Sequence, residues 1–323
     1  MRNLYFAACA PDGCIERYLF DPKPDGTLNL KLLQSVPVKN LLYLDISDGE
    51  LTAVNRGNYP DTRHSALFSF KLEEGGVIGE QTRGPVDVQG VEGCYVSRLN
   101  GNLYVANYDS GSCFGTNGAY VKHEGKGPNP YRQEKAHAHF IKPSPDGKYL
   151  LAVDLGMDTI FTYDENLKEV SRVSADPSVG PRHLAYSADG KTVFCINELA
   201  SSVSAYAYDD GVLTLLTTVS TLAEPVKGST GGAIRVYKDY IYASNRGDDS
   251  IACLSFTNGE LKLESVTPCG GVSPRDFDFF DDYLFVTNER TNNVTIFKTE
   301  GTKLTRCGIE LMMPNPLSVV SDT

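Results

Sequence analysis

The sequence lacks any long apolar run. No stretch approaches the ~18 residues that a membrane-spanning helix requires, and the apolar part of the N-terminal MRNLYFAACA is too short for a secretory signal peptide. We therefore expect a cytoplasmic protein without membrane contact. Hydrophobic residues nevertheless make up 41% of the 323 residues, which is enough apolar material for a folded core and excludes disorder.

Paired cysteines are also lacking. The eight cysteines are spread singly along the chain without a CxxC element, and most lie in strand-like runs such as VFCIN and IACLSF. A reduced cysteine in such a run behaves as a small apolar residue. We expect free thiols rather than a disulfide framework, and neither Cys9 nor Cys113 shows a local sign of thiolate activation.

Positive charge is scarce. The 30 lysines and arginines are outnumbered by 41 acidic residues, so the formal net charge at pH 7 is −11. Nucleic acids and anionic membranes repel such an acidic protein, so neither is an expected partner. The sequence also has no GxSxG elbow, no Walker loop and no dinucleotide-binding fingerprint, which leaves serine hydrolases, nucleotidases and dehydrogenases without support.

What the sequence does contain is a repeat. Segments such as LYVANYD, VFCINELASSVSAYAYD and LFVTNERTNNVTIFK share a β-rich run, an Asn or Asp, a polar turn and a second β-rich run. Seven positions anchor this template at intervals of 43 to 52 residues: Cys9, Asn55, Asn107, Asp154, Asn197, Asn245 and Asn288. A further β-rich run precedes most anchors and is joined to the anchor strand by a hairpin turn such as PDGK. Because the repeats fill the chain, we expect one domain over residues 1–323.

A repeat of this length with about four short strands, and without helical periodicity, is typical of a β-propeller. We predict an all-β, seven-bladed propeller with four-stranded antiparallel blades. The first repeat lacks its leading run and the C-terminal NPLSVVSD resembles it, so we expect the C-terminal strand to pair with the N-terminal strand and close the ring. The absence of tryptophan excludes a WD-repeat propeller. A pair of β-sandwiches or a parallel β-helix remains an alternative, although neither needs a closing strand.

In a propeller the inner strands bring equivalent residues of every blade to one central channel. Counting back from the anchors places His139, Arg182 and Arg275 at one level, and His137 faces the same side of its strand as His139. The neighbouring His183 is expected to point away, because adjacent strand residues face opposite sides. A second ring is predicted just after the anchors, formed by Arg56, Tyr108, Glu198, Arg246 and Glu289.

Arginines around the axis of an acidic protein have two interpretations. They are structural ties if Arg182 pairs with Glu198, and if Arg275 pairs with Asp276 or Glu289. Alternatively they receive an anionic ligand such as a carboxylate or phosphate, whose geometry matches the arginine fork. Their convergence on one channel favours the ligand.

The two histidines of the HAH element have three interpretations. His137 and His139 can be core residues with satisfied hydrogen bonds. As zinc ligands they need a third and a fourth ligand, which the sequence does not supply at familiar spacing, so we predict no metal. As a proton-transfer group, one histidine beside the arginines and Glu198 is well placed, since imidazole titrates near neutrality.

Several of these elements together resemble a known family. Residues 123–164 (HEGKGPNPYRQEKAHAHFIKPSPDGKYLLAVDLGMDTIFTYD), followed by GPRHLAYSADG, SNRGDDS and SPRDFDFF, look like the seven-bladed propeller lactonases. That family includes the propeller-type bacterial 6-phosphogluconolactonase and the fungal carboxymuconate cyclase. The resemblance covers all blades and is most specific in the HEG, RQE, HAH, DLG, GPRH, NE, NRG and PRD elements, while the first two blades match loosely.

The resemblance implies a site in the central channel that uses neither metal nor cofactor. It implies catalytic roles for a histidine of HAH (His137 or His139), for Arg182 of GPRH and for Glu198 of NE. The expected substrate-binding residues are Arg246, Arg275, Arg132, Arg56 and Glu289.

The leading hypothesis from the sequence is a lactonase that hydrolyses an anionic sugar lactone, with 6-phosphogluconolactone of the pentose phosphate pathway as the first choice. The same pocket also suits a carboxymuconate-type lactonising cycloisomerase. A third interpretation is a non-catalytic propeller that binds its ligand through the Gly- and Asn-rich stretch 108–136. The expected partner is a small anionic lactone, and the sequence leaves monomer and dimer open.

Overall fold

The strands of the protein form seven four-stranded antiparallel sheets, which are the blades of a ring. The computed structural model describes residues 1–9, 12–57 and 62–322. Blade 1 contains, in spatial order, β28 (Pro316–Ser321), β1 (Arg2–Ala8), β2 (Cys14–Pro22) and β3 (Leu28–Pro37). Blade 2 contains β4 (Leu41–Ser47), β5 (Glu50–Asn55), β6 (Ala66–Leu72) and β7 (Ile78–Asp87). Blade 3 contains β8 (Gly93–Leu99), β9 (Asn102–Asn107), β10 (Ser112–Gly115) and β11 (Tyr120–Lys122).

The remaining four blades follow in chain order. Blade 4 contains β12 (Ala138–Pro143), β13 (Leu150–Asp154), β14 (Thr159–Tyr163) and β15 (Glu169–Ser174), and blade 5 contains β16 (Pro181–Tyr186), β17 (Thr192–Asn197), β18 (Ser202–Asp209) and β19 (Val212–Ser220). Blade 6 contains β20 (Thr230–Tyr237), β21 (Tyr240–Arg246), β22 (Ser250–Thr257) and β23 (Glu260–Pro268), and blade 7 contains β24 (Pro274–Phe280), β25 (Tyr283–Asn288), β26 (Asn293–Glu300) and β27 (Lys303–Met312). Among the described residues the single helix is the 3₁₀ turn Glu74–Gly76, and no helix there is long and apolar enough to cross a membrane.

The ring is closed by strands from opposite ends of the chain. β28 pairs antiparallel with β1, with Leu4 opposite Ser321 and Phe6 opposite Val319. β28 also contacts β4 and β24, the inner strands of the two neighbouring blades. The predicted seven-bladed architecture and its closing strand are therefore both confirmed.

The position of a strand within its blade explains its sequence pattern. All five residues of β13 are buried, because the adjacent blades cover both faces of the sheet there. The outermost strands β3 and β27 instead alternate between partly covered and exposed residues, since one of their faces meets water. The core lies between blades, where the Tyr95 ring of blade 3 stacks on Tyr43 of blade 2 at 4.3 Å and packs at a tilt against Phe140 of blade 4, also at 4.3 Å.

The anchor residues of the repeat have a structural role. Each lies at or beside the end of the second strand of its blade, and the asparagines among them bond to nearby hydroxyl and carbonyl groups. The Asn197 amide donates to the hydroxyls of Ser202 (3.0 Å) and Ser204 (2.9 Å), and the Asn245 amide donates to the Ser250 hydroxyl and the Thr221 carbonyl, both at 3.1 Å. A buried amide at this point satisfies backbone and side-chain groups that the sheet leaves unpaired, which accounts for its recurrence in the sequence.

The closing strand gives a test of the fold. Val319 is fully buried in the apolar cluster between β28 and its neighbours, so Val319→Asp places an unpaired carboxylate in that core. We expect the free energy of unfolding to fall by about 3 kcal/mol or more. Val212→Asp in β19, where the valine is 53% exposed, is the matched control. Urea unfolding followed by circular dichroism measures both, and equal midpoints for the two variants would contradict a closed ring.

Candidate active site

A β-bulge near the start of each inner strand builds the wall of the channel. In blade 2 the pairing register shifts between Leu41 and Tyr43, and a corresponding shift occurs in each of the six remaining blades. A bulge places an extra residue on one strand and re-aims its side chain. The bulged positions are Leu42, Cys94, His139, Arg182, Gly232, Arg275 and Leu317, which we call the bulge ring.

The bulge ring nearly closes the channel. Its side chains surround a gap of only 10 Å³, to which Leu42, Cys94 and Leu317 contribute an apolar cluster and Arg182 and Arg275 contribute charge. A cavity of 160 Å³ lies on the side where the inner strands begin, and a cavity of 520 Å³ lies on the other side. The smaller one, which we call the channel cavity, contains most of the predicted site residues, whereas the larger one contains none of them.

The channel cavity joins side chains that are far apart in sequence. Its lining consists of Arg56, Glu92, Cys94, Tyr108, Arg132, His139, Glu198, Arg246 and Arg275. Six of the nine predicted site residues are therefore brought together: Arg56, Arg132, His139, Glu198, Arg246 and Arg275. Arg182 lies just beneath, in the bulge ring, and His137 and Glu289 lie beside the cavity rather than in its wall.

Glu198 is the centre of the charge cluster. Its carboxylate is 3% exposed and lies 3.0 Å from the Nε of Arg182 and 2.8 Å from the Nη2 of Arg246, and it also accepts a hydrogen bond from Arg132. Burial alone raises the pKa of Glu198, but the charges of Arg246, Arg182 and Arg132 outweigh it and hold the pKa far below its ordinary value. The side chain is therefore an anion at neutral pH.

Arg182 is a buried cation beneath the cavity. Its Nη1 donates to the Gly232 carbonyl at 2.8 Å, so it links blade 5 to blade 6 as a structural tie. Burial and the neighbouring charge of Arg246 lower the pKa of Arg182 to about 9, which leaves the guanidinium protonated at neutral pH. Within the described residues, the buried Nε–H groups of Arg182 and Arg246 make no aligned hydrogen bond, although both guanidinium groups contact Glu198.

Arg56 and Arg275 are held more loosely than the arginines around Glu198. Arg56 lies 3.6 Å from Glu92, and Arg275 lies 3.6 Å from Glu289, which was one of the two partners expected for it. Glu289 itself faces a neighbouring cavity of 500 Å³ together with Arg290. In the lining of the channel cavity, four arginines (Arg56, Arg132, Arg246 and Arg275) meet two glutamates (Glu92 and Glu198), so positive charge is in excess by two.

The two histidines of HAH occupy different environments. The His139 ring lines the cavity, edge-on to Tyr108 at 5.4 Å. Burial, followed by the charge of Arg182, holds the pKa of His139 well below its ordinary value, so the imidazole is neutral. The His137 ring stacks on the Tyr108 ring at 4.4 Å, with Nδ1 3.1 Å from the Tyr108 carbonyl and Nε2 3.2 Å from the Glu134 carboxylate. Both nitrogens of His137 already have partners, whereas His139 is the histidine that a ligand can reach.

His183 does not point away from the axis as the alternation rule predicts. Its ring lies 3.2 Å from the Arg182 Nη1 and 5.2 Å from the His139 ring centre, and it borders the gap inside the bulge ring. The bulge at Arg182 is the reason, because an extra residue breaks the strict two-residue alternation. Glu92 was also missed, although it precedes the bulged Cys94 by the same two residues that separate His137 from His139.

Comparison with known proteins shows the family to which this chain belongs. The lactonase family of seven-bladed β-propellers ("Lactonase, 7-bladed beta-propeller") matches residues 10–321, and the chain is a member of it. The 6-phosphogluconolactonase of Bacillus subtilis strain 168 is 34% identical over 258 residues, covering 72% of this chain and 74% of that protein. An uncharacterized protein of Lactococcus lactis is 37% identical over 190 residues, which is 55% of each chain.

The solved structures agree with this assignment. A candidate 6-phosphogluconolactonase of Bacteroides fragilis superposes with a TM-score of 0.88 over 100% of this chain and 98% of its own, at 28% identity. The chain is thus a member of a lactone-hydrolysing propeller family, and its similarity extends around the whole ring.

The charge of Glu198 makes stability at the site depend on pH. Because its folded-state pKa is depressed, Glu198 contributes stability above its ordinary pKa of 4.5 and loses it as the pH falls toward the folded value. We expect Glu198→Gln to lower the melting temperature by a constant amount from pH 8 to about pH 5, and by less at lower pH. Glu289→Gln, with its single 3.6 Å ion pair, is the control and should change little. A Glu198→Gln deficit that grows on acidification would refute this account.

Proposed function

We propose that this protein is a lactonase that hydrolyses an anionic sugar lactone, with 6-phosphogluconolactone as the substrate and 6-phosphogluconate as the product. The observation that carries the proposal is the neutral His139 in a cavity whose arginines exceed its acids by two charges. A phosphate monoester near neutral pH supplies close to two negative charges. The 34% identity to a protein named as a 6-phosphogluconolactonase supports the same substrate. A cytoplasmic location and a place in the pentose phosphate pathway form part of the proposal.

The loosely paired arginines are suited to the anionic group. The ion pairs of Arg56 with Glu92 and of Arg275 with Glu289 are both 3.6 Å long, so little interaction energy is lost when a phosphate replaces the glutamates. The phosphate gains a charge-assisted hydrogen bond from each arginine. Arg246 lines the cavity nearer the centre of the cluster, with its Nη2 2.8 Å from Glu198. We assign Arg246 to the lactone carbonyl oxygen, where negative charge develops in the transition state.

His139 is the proposed general base. A neutral imidazole accepts a proton from water, and the resulting hydroxide attacks the lactone carbonyl to give a tetrahedral oxyanion. Collapse of this intermediate breaks the bond between the carbonyl carbon and the ring oxygen, and the imidazolium returns its proton to that oxygen. The product acid then releases a proton to solvent. The Glu198 carboxylate is already bound by Arg132, Arg182 and Arg246, so it is not assigned the role of base, and instead its negative charge stabilises the imidazolium while holding Arg182 and Arg246 in place.

The proposed base gives a direct test with purified protein and freshly made lactone. We expect His139→Gln to reduce the rate of acid release about 10²- to 10⁴-fold, because general-base catalysis is typically worth that factor. His64→Gln, at a histidine outside the cavity lining, is the control and should retain the activity. Release is followed in a pH-stat against the spontaneous rate. Full activity of His139→Gln would reject His139 as the base, and the absence of turnover in the wild type would reject the lactonase proposal.

The depressed pKa of His139 predicts an unusual pH profile. An ordinary histidine base loses activity as the pH falls through about 6.5, because it becomes protonated. Since burial and Arg182 keep His139 neutral below that value, we expect kcat/KM to stay level from pH 7.5 down to pH 6 and to decline only in more acidic solution. Initial rates over this range provide the measurement. A fall with a midpoint at 6.5 would show that the titrating base lies in an ordinary environment.

The excess of arginines also fits a second reaction. A carboxymuconate carries several carboxylates, and the same cavity can bind them while His139 transfers a proton to carbon. Loss of the ultraviolet absorbance of the conjugated diene distinguishes this cycloisomerisation from lactone hydrolysis.

A further inference from the structure

The segment between β11 and β12, residues 123–137, carries Arg132 to the channel cavity. We call this segment the arm. It contains no strand or helix, yet the Arg132 guanidinium reaches Glu198 of blade 5 and donates to the Tyr108 hydroxyl of blade 3 at 3.3 Å. A chain without a hydrogen-bonded ladder needs other contacts to fix a side chain so far from its strands.

Both ends of the arm are tied to one buried carboxylate. The Oδ2 of Asp154 lies 2.6 Å from the Nδ1 of His123, and its Oδ1 accepts the backbone N–H of His137 at 2.8 Å and that of Met157 at 3.0 Å. A carboxylate only accepts, so the His123 Nδ1 carries the proton, and the His123 Nε2 lies 2.9 Å from the Tyr163 hydroxyl. Asp154 thus clips the first and last residues of the arm to blade 4.

The middle of the arm is fixed by Gln133, which is fully buried. Its Nε2 donates to the Leu155 carbonyl at 2.9 Å, and its Oε1 accepts from the Asn129 backbone N–H at 3.1 Å. The Asn129 side chain in turn accepts from the backbone N–H of Arg132 at 3.2 Å. The position of the Arg132 backbone therefore depends on a turn that the Gln133 side chain fastens to blade 4.

Close approach at Gly156 supports the same interpretation. A Cβ at Gly156 would lie 1.9 Å from the Lys135 carbonyl oxygen, so only glycine lets the arm pass this point of blade 4. The contacts account for three sequence elements that the proposed chemistry does not use: His123 of HEG, Gln133 of RQE, and Asp154 with Gly156 of DLG. All three serve the placement of the arm.

We propose that Gln133, His123 and Asp154 are positioning residues that hold Arg132 in the wall of the channel cavity, where its side chain, 39% exposed, contacts the anionic substrate. The arm is a fixed support and not a lid that opens. This proposal rests on the proposed function for the identity of the substrate, but not for the ion pair between Arg132 and Glu198. Because Arg132 acts on the bound anion and not on the proposed base, it contributes to KM more than to kcat.

The test uses Gln133→Met, which keeps the buried volume but removes both side-chain hydrogen bonds, together with Arg132→Ala and the double variant. A lost hydrogen bond to a charged group corresponds to about a tenfold to hundredfold rise in KM for Arg132→Ala. We expect Gln133→Met to raise KM in the same direction with kcat nearly unchanged. We expect the double variant to be no worse than Arg132→Ala, since Gln133 acts through Arg132. If the rise in KM of the double variant equals the product of the rises in the two single variants, the proposal is overturned.

Two further measurements separate positioning from loss of stability and from an error in the substrate. Tyr242→Phe removes a hydrogen bond to the Gly301 carbonyl in a distant blade, so it should lower stability without changing KM. Urea unfolding of Arg132→Ala, Glu198→Gln and their double variant gives the coupling free energy between the two side chains, and this measurement needs no substrate. We expect that coupling free energy to vanish when the three variants also carry Gln133→Met. Persistence of the coupling would overturn the positioning role, whereas its loss without any lactone turnover would reject only the proposed function.

Discussion

The site depends on a single buried carboxylate. Arginines repel one another, and a channel that holds several of them in low dielectric needs an anion at their centre. Glu198 supplies it by contacting Arg132, Arg182 and Arg246, which come from the arm, blade 5 and blade 6. The cations around Glu198 hold its pKa low, so in the proposed mechanism the base is a different residue, the neutral His139.

Much of this arrangement follows from the sequence, because a propeller converts a linear period into a circle. Once the anchors are counted, the convergence of His139, Arg182 and Arg275 is a matter of geometry, and the closing strand follows from the incomplete first repeat. The resemblance to the family adds Arg132. This residue lies far in sequence from any anchor, so counting from the anchors does not find it.

What the sequence does not reveal are the local departures from regular strands. His183 lies beside Arg182 because a bulge breaks the alternation, and a bulge leaves no signature in composition. The choice between His137 and His139 likewise depends on ring orientation: both lie near the start of β12, but the Tyr108 carbonyl and the Glu134 carboxylate occupy the two ring nitrogens of His137. Glu289 follows its anchor as predicted, yet it faces an adjacent cavity.

The pairing of β28 with β1 also has a consequence for how the protein is made. β1 is synthesised before β28, so translation delivers the six blades between them before blade 1 can be completed. Until then the ring is open and the channel has no closed wall. The channel cavity is therefore completed in one late step of synthesis.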